Sequence, residues 1–227
     1  MTVAPDAAAA ARQAAASIAA LCKSAVRERG RALIAVSGGT TPWRMLAELA
    51  ALPLRWESIY VAQVDERVAP RGDPRRNLSH LERILVRDGP LPSRQLLAMP
   101  VEEPDLEAAA RSYQSRLESV GGVPAVLDLA QLGLGADGHT ASLLPGDPAL
   151  EVRDRDVAIT AQHQGLRRMT LTVPALARAR EVLWLVTGTG KSEVLRGLLN
   201  GNRDMPALRL PTERATLYAD PEAADVR

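Results

Sequence analysis

Three histidines, at positions 80, 139 and 163, are the whole imidazole supply of this chain, so a histidine-built metal cluster is not expected and proton transfer has few candidates. His139 stands in the glycine-flanked segment GLGADGHTASLLPG, with Asp137 two residues before it. An imidazole held in such a loop can take a proton near neutral pH, and an adjacent carboxylate can orient it. A structural histidine is the competing reading, and the residues alone leave both open. His139 is the candidate base ahead of His163 and of His80, which falls inside a predicted surface helix.

The other chemistry-bearing residues cluster in the same kind of place. Asp65 and Glu66 end a strand-like run, and Asp65 reads either as part of a reaction site or as an aspartate that fixes its own loop. Arg67, Arg168 and Lys191 can supply positive charge, although Lys191 also fits a solvent-exposed lysine at a helix start. SGGTTP from Ser37 and TGTGKS from Thr187 each join a strand to a helix. Glycine-rich joints of this sort favour bound phosphate through exposed backbone N–H groups, or they are simply tight turns.

Familiar nucleotide and hydrolase signatures fail on spacing. A Walker loop ending at Lys191 needs a glycine at 185, where the chain has Leu185. Gly133, Gly135 and Gly138 satisfy GxGxxG, but Pro145 and Gly146 break the segment where a long helix should run. A serine-hydrolase elbow at Ser37 needs glycine at 35, where Ala35 stands.

The elements that must position these residues follow from the hydrophobic pattern. Asp6 can cap an Ala-rich helix that Gly30 closes, and its apolar side includes Ile18, Leu21, Cys22, Ala25 and Val26. Strands are predicted over 32–36, 59–64, 126–132, 157–160, 168–173 and 182–186, with a short one near Thr216. Helices are predicted from Pro42 for about ten residues, over 77–86 and 104–119, and after TGTGKS. This alternation predicts an α/β fold, a mostly parallel open sheet with helices on both faces, built as one domain over 1–227. The loops at Ser37, Asp65, Gly133 and Thr187 each follow the carboxyl end of a predicted strand, so they should meet at one sheet edge.

Composition narrows the partners. With 28 Lys and Arg against 27 Asp and Glu, the chain has no broad attraction for nucleic acid or anionic membrane, so anion recognition must be local. No apolar stretch approaches the roughly 18 residues of a spanning helix, and the N-terminal stretch lacks a signal-peptide pattern. A single cysteine, Cys22, is expected in the core of a reduced, cytoplasmic protein.

Taken together, VSGGTTP at 36–42, VDERVAP at 64–70, DPRRN at 73–77, LGLGADGHTASLLPG at 132–146, RMTLTVPAL at 168–176 and VTGTGK at 186–191 resemble the 6-phosphogluconolactonases in order and rough spacing. GADGHTASLLPG is the most diagnostic piece. The resemblance implies a modified Rossmann-like fold related to glucosamine-6-phosphate deaminases. It implies hydrolysis of a sugar-phosphate lactone in the pentose phosphate pathway, by a monomer needing no cofactor or metal. It further implies that His139 is the general base and that Gly38, Gly39, Thr40, Asp65, Arg67, Arg168 and Lys191 surround the substrate. Where the deaminase pattern reads DGHIAFNEP, this chain reads DGHTASLLP, with Leu144 in place of the glutamate. A non-catalytic sugar-phosphate sensor is the other competitor, and the Ala-rich N-terminal helix offers it no basic DNA-reading element. Departures from the family pattern are Arg76 for a common serine, a change expected to alter contacts at the substrate rim, Ala177 for an asparagine, and Tyr218 with Ala219 for a tryptophan-containing segment.

Overall fold

The computed structural model describes residues 1–201 and 204–225; positions 202, 203, 226 and 227 of the expected single unit lie outside the described residues. In chain order the elements are β1 (Thr2–Val3), α1 (Ala7–Arg29), β2 (Ala32–Val36), α2 (Thr40–Ala50), β3 (Ile59–Gln63), β4 (Asp65–Arg67), α3 (Asn77–Leu81), β5 (Leu96–Leu97) and α4 (Leu106–Gly121). They continue with β6 (Leu129–Leu132), β7 (Val157–Ile159), β8 (Arg168–Leu171), α5 (Val173–Ala177), β9 (Glu181–Val186), α6 (Ser192–Leu199), β10 (Ala215–Ala219) and α7 (Pro221–Ala224).

Among the described residues the main sheet runs β1-β10-β9-β6-β2-β3-β5, with every neighbouring pair parallel. Its central strands are continuous apolar runs because both faces are covered. All five residues of β2 are buried, and alternate ones serve different layers. Leu33 and Ala35 join the core under α4, α6 and a second sheet, while Ala32, Ile34 and Val36 pack with α1 and α2. Val182, Trp184 and Val186 of β9 face the first layer, Leu183 and Leu185 the second.

Local chemistry sets the helix ends. Asp6 accepts the Ala9 N–H at 2.7 Å, and Gly30 closes α1 at φ 75°, a left-handed geometry that costs glycine little. Cys22 is buried in this layer, and burial pushes its thiol up to about 12. Two expectations shift. The second helix opens at Thr40 rather than Pro42, since Gly39 already turns the chain into the helix. The helix from Asn77 becomes a π-helical turn over Glu82–Arg87 after Leu81.

The larger correction is a second sheet, β4-β8-β7, antiparallel and three-stranded. Asp65, Glu66 and Arg67, expected as a loop, are its edge strand. A charged triplet carries no readable apolar alternation, and its partner lies about a hundred residues further along the chain. The pairing places Arg67 directly opposite Arg168.

Candidate active site

Strands β9, β6, β2 and β3 are neighbours in the sheet, so the segments leaving their carboxyl ends gather at one edge, as expected of an open parallel sheet. Hydrogen bonds lace these segments together. Ser37 donates its N–H to Gln131 Oε1 at 3.1 Å and its hydroxyl to the Gln131 carbonyl at 3.0 Å. Thr41 and Thr187 share a hydroxyl hydrogen bond of 2.6 Å. Lys191 Nζ donates to the Leu134 carbonyl at 2.7 Å, joining the loop after β9 to the loop that carries His139.

Between them lies a cavity of about 260 Å³. Six of the residues singled out in the sequence line it: Gly38, Asp65, Arg67, His139, Arg168 and Lys191. Gly39 and Thr40 do not; they form the N-cap and first turn of α2 beside it. Asp137 does not line it either, and instead abuts His139.

His139 is held in one orientation. Its Nδ1 lies 2.5 Å from Asp137 Oδ1, and the same oxygen accepts the His139 backbone N–H at 3.2 Å. Burial pushes the Asp137 carboxyl up, but the two His139 hydrogen bonds and its charge outweigh that, leaving it below the usual carboxylate range. An ionised carboxylate only accepts, so Nδ1 carries a proton, and in the neutral imidazole the lone pair is on Nε2. The seat for this ring is Gly135. A Cβ there would lie 2.1 Å from His139 Nδ1 and 2.7 Å from Asp137 Oδ1. Gly135→Ala should therefore displace the ring and lower kcat by about 10²-fold, the cost of misplacing a candidate base by about 1 Å. Steady-state kinetics with an unchanged circular dichroism spectrum would check it.

The cationic wall comes from the second sheet. Like charges opposite one another in a ladder repel, so the Arg67–Arg168 pair is a stability cost that a shared anion would relieve. Arg168 Nε is buried without a hydrogen-bond partner among the described residues, and Nη1 reaches Ser142 Oγ at 3.4 Å. Burial first, and then the Arg67 charge, hold the Arg168 guanidinium below the ordinary arginine range, against the pull of Asp65 and Asp137.

Asn77, which sequence reasoning passed over, braces this wall. Arg67 Nη1 donates to Asn77 Oδ1, and Asn77 Nδ2 donates to the Asp65 carbonyl at 2.9 Å and to Asp65 Oδ1 at 3.1 Å. Ser142, also missed, donates its hydroxyl to Asp65 Oδ2 at 2.5 Å. Gly38 lies so close to Asn77 that a Cβ would fall 1.9 Å from Asn77 Oδ1. The DPRRN segment carried the one available signal for Asn77, but an asparagine with no acid-base chemistry gave no reason to choose it. Arg76, expected to alter contacts at the substrate rim, is buried and does not line the cavity. Among the described residues, no three His, Cys, Asp or Glu side chains gather as a metal-ligand set.

The arrangement pairs an oriented imidazole with three cations around a small polar cavity, which suits proton abstraction beside a bound anion. A family model described as glucosamine-6-phosphate isomerases/6-phosphogluconolactonase matches residues 5–218. A 6-phosphogluconolactonase of Synechocystis is 39% identical over 176 residues, spanning 75% of this chain and 72% of that protein. Another, from Mesorhizobium japonicum, is 34% identical over 208 residues, spanning 89% and 83%. The crystal structure of a Thermotoga maritima 6-phosphogluconolactonase superposes with a TM-score of 0.80 at 26% identity, over 91% of this chain and 92% of that one. A monomeric glucosamine-6-phosphate deaminase shares the fold, with a TM-score of 0.85 at 21% identity over 100% and 99%.

Proposed function

The chain belongs to the glucosamine-6-phosphate isomerase/6-phosphogluconolactonase family, and on that premise we propose that it hydrolyses 6-phospho-D-glucono-1,5-lactone to 6-phospho-D-gluconate. The observation that carries this reading is the meeting, in one cavity, of His139 with its Nδ1 engaged by Asp137 and of the opposed pair Arg67 and Arg168.

In this mechanism Arg67, Arg168 and Lys191 hold the phosphate, and Gly38 leaves room for the substrate beside Asn77. The backbone of Gly39 and Thr40, at the start of α2, contributes to the same anion-facing edge without touching the cavity. Phosphate binding sets the ring in register, so the lactone carbonyl meets a water aligned with His139 Nε2. Nε2 takes a proton from that water as its oxygen bonds to the carbonyl carbon. The tetrahedral oxyanion then reforms the carbonyl and expels the ring oxygen, which takes the proton from the imidazolium. Asp137 keeps the reactive nitrogen pointed inward and stabilises the transient imidazolium, and Asp65, held by Ser142 and Asn77, shapes the floor that receives the sugar.

The deaminase alternative lacks a carboxylate where Leu144 is buried, and an intact His139–Asp137 pair weighs against a purely sensory role. The proposal extends to a monomer of one domain working in the cytoplasm on a small-molecule substrate, without nucleic acid. The balanced charge supports the part about nucleic acid. No helix of the described residues is long and apolar enough to cross a membrane. Substrate comparison tests the proposal. The phosphorylated lactone should be opened far faster than unphosphorylated glucono-1,5-lactone, and glucosamine 6-phosphate should release no ammonia. Ammonia release without lactone opening would replace this reading with the deaminase one.

A further inference from the structure

Glu66 is fully buried, and its two oxygens accept four N–H groups: Gln63 Nε2 at 2.9 Å and the backbone N–H groups of Arg67, Asn77 and Leu78 at 2.8 Å each. A protonated carboxyl has one acceptor site fewer and would set an O–H against a donor, so this arrangement requires the carboxylate. A buried carboxylate in turn requires a compensating charge. Arg76, 1% exposed, supplies it, with Nε 3.4 Å from Glu66 Oε2. The guanidinium gives Glu66 no directed hydrogen bond: among the described residues Nε and Nη2 have no hydrogen-bond partner, while Nη1 reaches the Ala69 carbonyl at 3.3 Å and pairs with Glu102. What Arg76 gives Glu66 is charge.

Two of the four donors on Glu66 belong to Arg67 and Asn77, whose side chains line the cavity and bond to each other. We propose that Arg76 is a positioning residue: its buried charge holds Glu66 as an acceptor, and Glu66 thereby fixes Arg67 and Asn77 for anion binding. The inference rests on the functional reading above for its substrate, but not for its anion. Arg76 touches neither the cavity nor His139, so its loss should weaken binding and spare the proton transfer.

The test compares Arg76→Met, Arg76→Lys and Glu102→Gln with the unmodified protein. Lactone hydrolysis gives kcat and KM, and titration calorimetry gives the affinity for inorganic phosphate, which needs no turnover. Arg76→Met should raise KM and weaken phosphate binding by about tenfold, the worth of one disturbed charge-assisted hydrogen bond, with kcat within about threefold. Arg76→Lys, keeping charge without the planar fork, should restore both within about threefold of the unmodified protein, and Glu102→Gln should match it. If Arg76→Met does not fold by circular dichroism, Arg76→Gln, polar but uncharged, takes its place with the same expectation. Unchanged KM and phosphate affinity in the folded uncharged variant would overturn the proposal, as would a lysine variant no better than the methionine one. If the unmodified protein binds phosphate but leaves the lactone intact, the functional reading fails and the phosphate measurement still judges Arg76. Absence of both phosphate binding and turnover sinks the two together.

Discussion

His139→Ala should lose about 10²- to 10⁴-fold in kcat, the usual contribution of a positioned general base, or about 2.7 to 5.4 kcal/mol of barrier. Binding should survive, because the proposed mechanism gives the phosphate to Arg67, Arg168 and Lys191 rather than to the imidazole. The fold should survive as well: the ring is partly exposed, and its hydrogen bond goes to Asp137, itself half exposed. KM near the unmodified value with a collapsed kcat is thus the expected pattern, read from steady-state kinetics. An equal fall in affinity would move His139 from the reacting carbonyl to the phosphate. Full activity would leave the oriented imidazole without a catalytic task.

The second large effect belongs to the opposed arginines. Arg168→Met removes a cation that the structure already treats as costly, desolvated and directly across the ladder from Arg67. Losing one charge-assisted contact to the phosphate should raise KM by about 10- to 100-fold, from roughly 1.5 to 3 kcal/mol per contact. The same change relieves cross-strand repulsion and a buried, unpartnered Nε, so thermal stability should rise rather than fall. Scanning calorimetry beside kinetics would read both. Weaker binding with a higher melting temperature is the signature of a group kept for function, whereas weaker binding with a lower one would make Arg168 a structural cation. Arg67→Met should act in the same direction, but the two effects should not add, since the residues are neighbours facing one ligand.

How much of this was legible in the sequence depended on the range of the interactions involved. Strand β2 and residues 182–186 of β9 are continuous apolar runs followed by glycine-rich joints, and their type and place could be read locally. The convergence of the Ser37, Gly133 and Thr187 segments followed from parallel topology, because carboxyl ends of neighbouring parallel strands share an edge. The Asp6 cap and the Gly30 stop of α1 were equally local. The second sheet was not legible, because β4 is three charged residues whose partner is distant in sequence. With that sheet hidden, the opposition of Arg67 and Arg168 was hidden too, although each residue had been noticed for its charge. Asn77 and Ser142 escaped for a related reason: their importance lies in which atoms they bridge, Arg67 to Asp65 in one case and the His139 loop to Asp65 in the other. Gly39 and Thr40 were read from their place in a motif, and the structure seats them at the start of α2 beside the cavity. Arg76, read in the sequence as a departure that alters contacts at the substrate rim, is buried beside Glu66 and paired with Glu102, and neither partner could be read from the segment that carries it.

The most direct test of the central claim is to generate 6-phosphoglucono-1,5-lactone in place at slightly acidic pH and follow its decay, with and without the purified protein, against the spontaneous rate. Decay should accelerate in proportion to protein concentration and yield 6-phosphogluconate. Decay at the spontaneous rate, with protein shown to be folded, would contradict it.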